Sequence, residues 1–158
     1  GVEAEAGSAL AGLELLPLVT EFAAAKATYQ ASALPASERG FLAAIGDAPV
    51  NGYEIHMGRS SLLPGACSPL LRLTSRGDEA AGGLDGALDP SGRIWGTYLH
   101  GIFDNSSFRR AWLGSLGWIA PDAALGFRAV REAEYDRLAA AVRSSLNMDA
   151  IREIAGLT

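Results

Sequence analysis

Three residues in this chain are of the types best suited to move protons or attack a carbonyl carbon near neutrality: two histidines, His56 and His100, and one cysteine, Cys67. His100 lies in the run Arg93-Ile94-Trp95-Gly96-Thr97-Tyr98-Leu99-His100-Gly101-Ile102-Phe103-Asp104, where an apolar β-type segment delivers an imidazole to a glycine and then to a helix start. In α/β sheets that strand-to-helix edge is where ligands and reactive groups are mounted. An imidazole with an ordinary pKa of about 6.5 carries protons in both directions near neutrality. A histidine in a strand is more often a buried, hydrogen-bonded structural residue than a catalyst, so its flanking residues must carry the argument.

The segment Tyr53-Glu54-Ile55-His56-Met57 supplies further titratable groups. The strand period of two places Tyr53, Ile55 and Met57 on one face, and Glu54 and His56 together on the other. His56 is a candidate pocket or structural residue. Cys67 sits in Pro64-Gly65-Ala66-Cys67-Ser68-Pro69, with a proline two residues on and no apolar strand before it. That context suits a loop and blocks helix entry, whereas a nucleophile elbow needs a preceding strand and flanking glycines. Cys67 is therefore read as an inert loop or core thiol. The two histidines are far apart in sequence and neither forms a ligand-spaced cluster with Cys67, so no metal site is expected. The single lysine, Lys26, follows three alanines rather than phosphate-cradling glycines, so no ATP site is expected either.

The elements that must position these groups are legible in outline. Gly12 to Thr20 reads as a short apolar strand closed by proline, and Lys26 to Ala33 as another. Pro35 to Gly40 is a polar linker, Phe41 to Ile45 a brief apolar run, Ala48 to Met57 and Leu70 to Thr74 further strands. Arg76 to Gly83, rich in glycine and charge, reads as an exposed loop. Asp89-Pro90-Ser91-Gly92 suits a type I turn joining Gly86-Ala87-Leu88 to Arg93-Ile94-Trp95 as a hairpin. Asp104 or Asn105 is placed to cap a helix carrying Phe108, Trp112, Leu113 and Leu116, with Gly117 at its C′ position. Val130 to Leu146 predicts a second helix striped by Tyr135, Leu138, Val142 and Leu146, and Asn147 caps a third through Ile154. Residues 1–117 form the expected sheet-bearing part and 118–158 the C-terminal helices of a single, partial domain. Gly1-Val2-Glu3-Ala4 opens without a start signal, and the chain is expected to begin inside a domain.

Composition bounds the rest. A chain of 158 residues, 49% hydrophobic and 20% charged, has the make-up of one soluble globular domain. A net charge of −5, with one lysine beside twelve arginines, offers no basic face for nucleic acid or an anionic membrane. One cysteine makes no intramolecular disulfide, and no leader or long apolar span appears. The cytoplasm is the expected compartment.

Gly52-Tyr53-Glu54-Ile55-His56-Met57-Gly58-Arg59 followed by Gly96-Thr97-Tyr98-Leu99-His100-Gly101-Ile102-Phe103-Asp104 resembles the C-terminal part of the glutamine amidotransferase domain of the cobyric acid synthase family, which acts in cobalamin biosynthesis. Leu13-Glu14-Leu15-Leu16-Pro17 and Lys26 with Thr28 also fit, although Glu14 stands where a glycine is expected. The resemblance runs from Gly1 to about Phe108. It implies an α/β, class I glutamine amidotransferase-like (flavodoxin-like) open sheet and glutamine hydrolysis by a cysteine and a histidine. His100 matches the family's histidine and is the one catalytic residue it assigns here. Ile102 occupies the position where many class I relatives carry a glutamate, so the orienting carboxylate is absent or comes from elsewhere, with Glu54 a weak candidate. The family's nucleophilic cysteine is expected upstream of Gly1, which leaves this stretch inactive alone. The resemblance further implies glutamine as a partner, and a separate synthetase domain that holds ATP, magnesium and the corrinoid substrate. Two other readings stay open: a sibling amidotransferase acting on another carboxylate, such as a cobyrinic acid diamide synthase or a cell-wall lipid amidating enzyme, and a non-catalytic interaction module that kept the fold.

Overall fold

The computed structural model describes residues 10–119 and 126–157, so the opening Gly1-Val2-Glu3-Ala4 lies outside the described residues. The chain forms two compact units, Gly1–Ile119 and Ala120–Thr158.

In the first unit the strand expected at Gly12–Thr20 is corrected: the chain is coil and bend as far as Pro17, and only Leu18–Thr20 join the expected Lys26–Ala33 in one long strand. β1 runs Leu18–Pro35 and pairs antiparallel along nearly its whole length with β2, Val50–Leu62, from Leu18↔Leu62 to Ala33↔Val50. Its register shifts between Phe22 and Ala27, across Ala23-Ala24-Ala25, where short side chains give nothing bulky to fix the pairing. Pro35, which has no N–H to donate, closes the strand. The expected apolar run becomes a 3₁₀ helix, Gly40–Ala44, that buries Phe41 and Leu42.

β3, Leu71–Arg76, pairs with the far side of β1 and turns directly into β4, Glu79–Ala80. The segment expected as an exposed loop, Arg76–Gly83, is exposed at Gly77 to Ala80, but it is not all loop: Arg76 is the last residue of β3, and Glu79 pairs with it. β5, Leu84–Asp85, returns along the start of β3. β6, Ala87–Leu88, and β7, Trp95–Gly96, form the expected hairpin as a separate two-stranded sheet. Its turn is built by one carboxylate. Asp89 accepts from the backbone N–H of Ser91, Arg93 and Ile94 and from the Ser91 hydroxyl, which holds its pKa down at about 2. β8, Leu99–His100, adds to the free side of β2, giving the order β4-β3-β1-β2-β8 with every pairing antiparallel.

α1, Ser106–Ser115, packs beside the 3₁₀ helix of Gly40–Ala44. Phe108 is buried between Phe41 and Trp95, with edge-to-face ring contacts at 5.3 and 5.4 Å. Trp112 and Ala111 complete its inner face, whereas Leu116, expected on that stripe, is exposed. The helix ends at Gly117 in a Schellman arrangement, Trp118 N–H to Leu113 carbonyl and Gly117 N–H to Gly114 carbonyl. The buried apolar residues, from Ala31 to Ala111, form one core under the sheet and this helix.

The second unit holds α2, Phe127–Ser145, and α3, Met148–Ile154. Asn147 caps α3 as the sequence predicts, accepting from the Ala150 N–H at 3.1 Å. No described helix is long and apolar enough to cross a membrane.

Candidate active site

β8 is two residues long and holds its place because Gly52 lets it come close. A Cβ on Gly52 would lie 2.5 Å from the carbonyl oxygen of His100, a clash of backbone against side chain that neither strand could relieve. His100 pairs with Tyr53 in register, and the two share one face of the sheet. Leu99, pointing the other way, is buried in the core, and His100 is exposed. Gly101 then takes a left-handed conformation, φ 73°, that turns the chain sharply into a 3₁₀ turn, Ile102–Asp104, whose Ile102 is buried. Asn105 follows at the N-cap position of α1. The imidazole therefore stands at the end of a strand, on a turn anchored on both sides by core residues.

The cysteine is elsewhere. Cys67 is half-buried in the connection from β2 to β3, next to Ser68, whose backbone bridges Leu88. No hydrogen bond joins its sulfur to His100, and the His100 ring makes no side-chain hydrogen bond among the described residues.

The opposite face of β2 carries a second polar group, around a cavity of about 610 Å³. Glu54 is 2% exposed, and Arg76 from β3 donates to both its oxygens, Nε to Oε2 at 2.5 Å and Nη2 to Oε1 at 3.0 Å. The guanidinium holds the Glu54 carboxyl below the usual range, against the opposing effect of burial, and Glu54 in turn raises Arg76. His56 lies with Nδ1 2.7 Å from the Gly58 carbonyl oxygen and Nε2 3.4 Å from Glu54, its ring stacked on Tyr98 at 4.1 Å. The Tyr98 hydroxyl meets Ser60, which meets Thr20. Asp85, 5% exposed, accepts from the Thr97 hydroxyl and from the Tyr98 N–H at 3.1 Å, and burial pushes its carboxyl up. Thr97 Oγ1 accepts from the Leu99 N–H at 3.0 Å, so this network fixes the three residues that lead into His100.

Glu54 does not orient His100. It pairs with Leu99, whose side chain lies on the face opposite His100, and both its oxygens are engaged by Arg76 and His56. Sequence reasoning found two members of this network, because Glu54 and His56 alternate on one strand. It missed Arg76, Asp85, Thr97 and Tyr98, whose partners lie on other strands and leave no local periodicity. Among the described residues no group of three or more His, Cys, Asp or Glu is placed to hold a metal ion.

Residues 1–108 match the CobB/CobQ-like glutamine amidotransferase domain. The cobyric acid synthase of Syntrophobacter fumaroxidans is 41% identical over 154 residues, covering 94% of this chain and 30% of that protein. That of Roseiflexus castenholzii is 48% identical over 118 residues (75% of this chain, 23% of the relative), and that of Chlorobium phaeobacteroides 39% over 157 residues (99% and 29%). The chain thus spans less than a third of the length of these relatives. No solved structure matches. The matched region takes in β1 to β8, the cavity network and the turn that presents His100, and the chain belongs to the CobB/CobQ-like glutamine amidotransferase domain family.

Proposed function

We propose that this chain is the histidine-bearing, C-terminal part of a glutaminase domain that supplies ammonia for ATP-dependent amidation of corrinoid side-chain carboxylates, as in a cobyric acid synthase. The observation that carries the reading is His100, exposed on a fixed strand-end turn inside the family-matched region. In this reading a thiolate contributed by another part of the longer polypeptide adds to the side-chain amide carbon of glutamine. The oxyanion collapses, the C–N bond breaks, and imidazolium at His100 gives its proton to the departing nitrogen, which leaves as ammonia. Water then adds to the thioester while His100 takes its proton, and glutamate leaves with the thiol restored.

The same reading places the domain in the class I, flavodoxin-like group, its antiparallel strands here being one side of a larger sheet completed by other parts of the polypeptide. ATP and magnesium would activate the acceptor carboxylate on a separate synthetase domain. In this reading no nucleotide sits on this chain, whose single lysine, Lys26, lies within β1 behind alanines. The cytoplasm is the compartment the reading requires.

The test is ammonia release from glutamine by the longer polypeptide that carries these residues. His100→Ala lowers the rate on the order of 10² or more, the contribution of a general acid–base group, while Cys67→Ser leaves it nearly unchanged. The 158-residue chain alone releases none above buffer. An enzyme that tolerates loss of His100 but fails without Cys67 overturns the proposal.

A further inference from the structure

Asn105 stands at the N-cap position of α1 and does not cap it. Asparagine is among the best residues for that role, its side-chain oxygen accepting from the N2 or N3 backbone N–H, and Asn147 performs it at α3. At α1 the cap bond is absent, and the Asn105 carboxamide is turned toward β2 instead. Its Oδ1 accepts from the Asn51 N–H at 2.9 Å, and its Nδ2 donates to the Asn51 carbonyl at 2.8 Å and to the Ile102 carbonyl at 2.9 Å.

The register explains why. β8 pairs with β2 at Glu54↔Leu99 and Tyr53↔His100, and then Gly101 turns away. Continued by two residues, the ladder would reach Asn51, where no strand backbone remains opposite. A hydrogen-bonded pair in an antiparallel ladder exchanges an N–H and a carbonyl in both directions, and the Asn105 carboxamide makes that double exchange with Asn51. It thereby extends the ladder one step past His100 with a side chain, while its third bond ties the same carboxamide to the turn at Ile102.

We infer that Asn105 is a positioning residue for His100. It closes the six-residue arch from His100 to Asn105 onto β2 and fixes the direction in which the imidazole leaves the sheet. The inference rests on the reading of His100 as the acid–base group of a glutaminase.

The experiment compares Asn105→Ala and Asn105→Asp in the longer polypeptide, alone and with His100→Ala, by glutamine hydrolysis and by thermal melting. Aspartate is isosteric and a good cap, so a residue that served only α1 would be replaced by it without loss. Its carboxylate has no proton to donate and faces two carbonyl oxygens, so the ladder bond fails. Both variants should therefore lower kcat by about 10- to 100-fold, the effect of a small misplacement of a catalytic group, with KM nearly unchanged and with no further fall once His100 is alanine. Should Asn105→Ala fail to fold, the isosteric Asn105→Asp carries the test. Wild-type kcat in a folded Asn105→Asp, or an equal fall in the His100→Ala background, overturns the inference and leaves the glutaminase reading standing. Full activity in His100→Ala alone overturns both.

Discussion

Glu54 is a buried carboxylate that survives because a single cation reaches both its oxygens. Replacing it with glutamine keeps the volume and leaves Arg76 with a neutral amide, one of whose atoms is itself a donor. Breaking a fully buried pair costs about 3–5 kcal/mol. Arg76 is 39% exposed and recovers part of its hydration, so Glu54→Gln should cost about 2 kcal/mol at neutral pH, read from urea or thermal denaturation. The pH dependence has a definite sign. The folded pKa of Glu54 lies below its unfolded value of 4.5, so the pair's contribution is complete above about that pH and is lost as pH falls through the lower, folded value. Asp85 works the other way: its folded pKa is raised by burial, so its contribution declines as pH rises from the unfolded toward the folded value. Wild-type stability in acid is the net of the two, and Glu54→Gln should flatten the acid limb as well as lower the plateau. Equal stability of the variant and wild type at neutral pH would show that the pair is neutral in balance.

At the scale of elements, β2 explains both what could be read from the residues and what could not. The alternation Tyr53, Ile55, Met57 against Glu54, His56 was plain, and so was the strand-to-turn step at His100. The direction of the strand's faces was not. An apolar face ordinarily goes inward, yet Tyr53, Ile55 and Met57 are 50, 42 and 42% exposed while Glu54 is enclosed. The inversion depends on Arg76, Asp85 and Tyr98, brought in by segments farther along the chain, and β4 to β8 are each two residues long, too short to carry a period of their own. The Asp89 turn and the Asn147 cap were legible because their chemistry is local; the use of Asn105 was not, because its partner is 54 residues away. Gly52 gives the element-scale prediction. Gly52→Ala sets a methyl group against the His100 carbonyl and should cost about 1–3 kcal/mol, with faster amide exchange at Leu99 and His100. Gly58→Ala has side-chain atoms of Tyr98 and Thr20, not backbone, as its nearest neighbours, and should be milder and leave β8 exchange unchanged. Equal exchange rates at β8 in the two variants would remove Gly52 as the reason for the close approach.

At the scale of the whole molecule, the distribution of buried residues decides what the chain needs in order to fold. Among the described residues, every buried apolar side chain lies between Ala31 and Ala111, and none comes from α2 or α3. The aromatic cluster of Phe41, Trp95, Phe103, Phe108 and Trp112 ties α1, the hairpin of β6 and β7 and the 3₁₀ segments into the unit that carries His100. Non-local burial of that kind supports a cooperative transition, whereas a lone helix of moderate length is marginal in water. A chain ending at Ile119 should therefore unfold in one cooperative step, with Tm shifted by no more than the about 4–8 °C that 1 kcal/mol produces in a domain of this size. A peptide of residues 120–158 should be only partly helical by circular dichroism, because the i,i+3 pairs Glu134–Arg137 and Asp149–Arg152 are exposed and contribute about 0.2–0.5 kcal/mol each. Loss of the cooperative transition in the truncated chain would show that the buried residues between Ala31 and Ala111 are not a sufficient core.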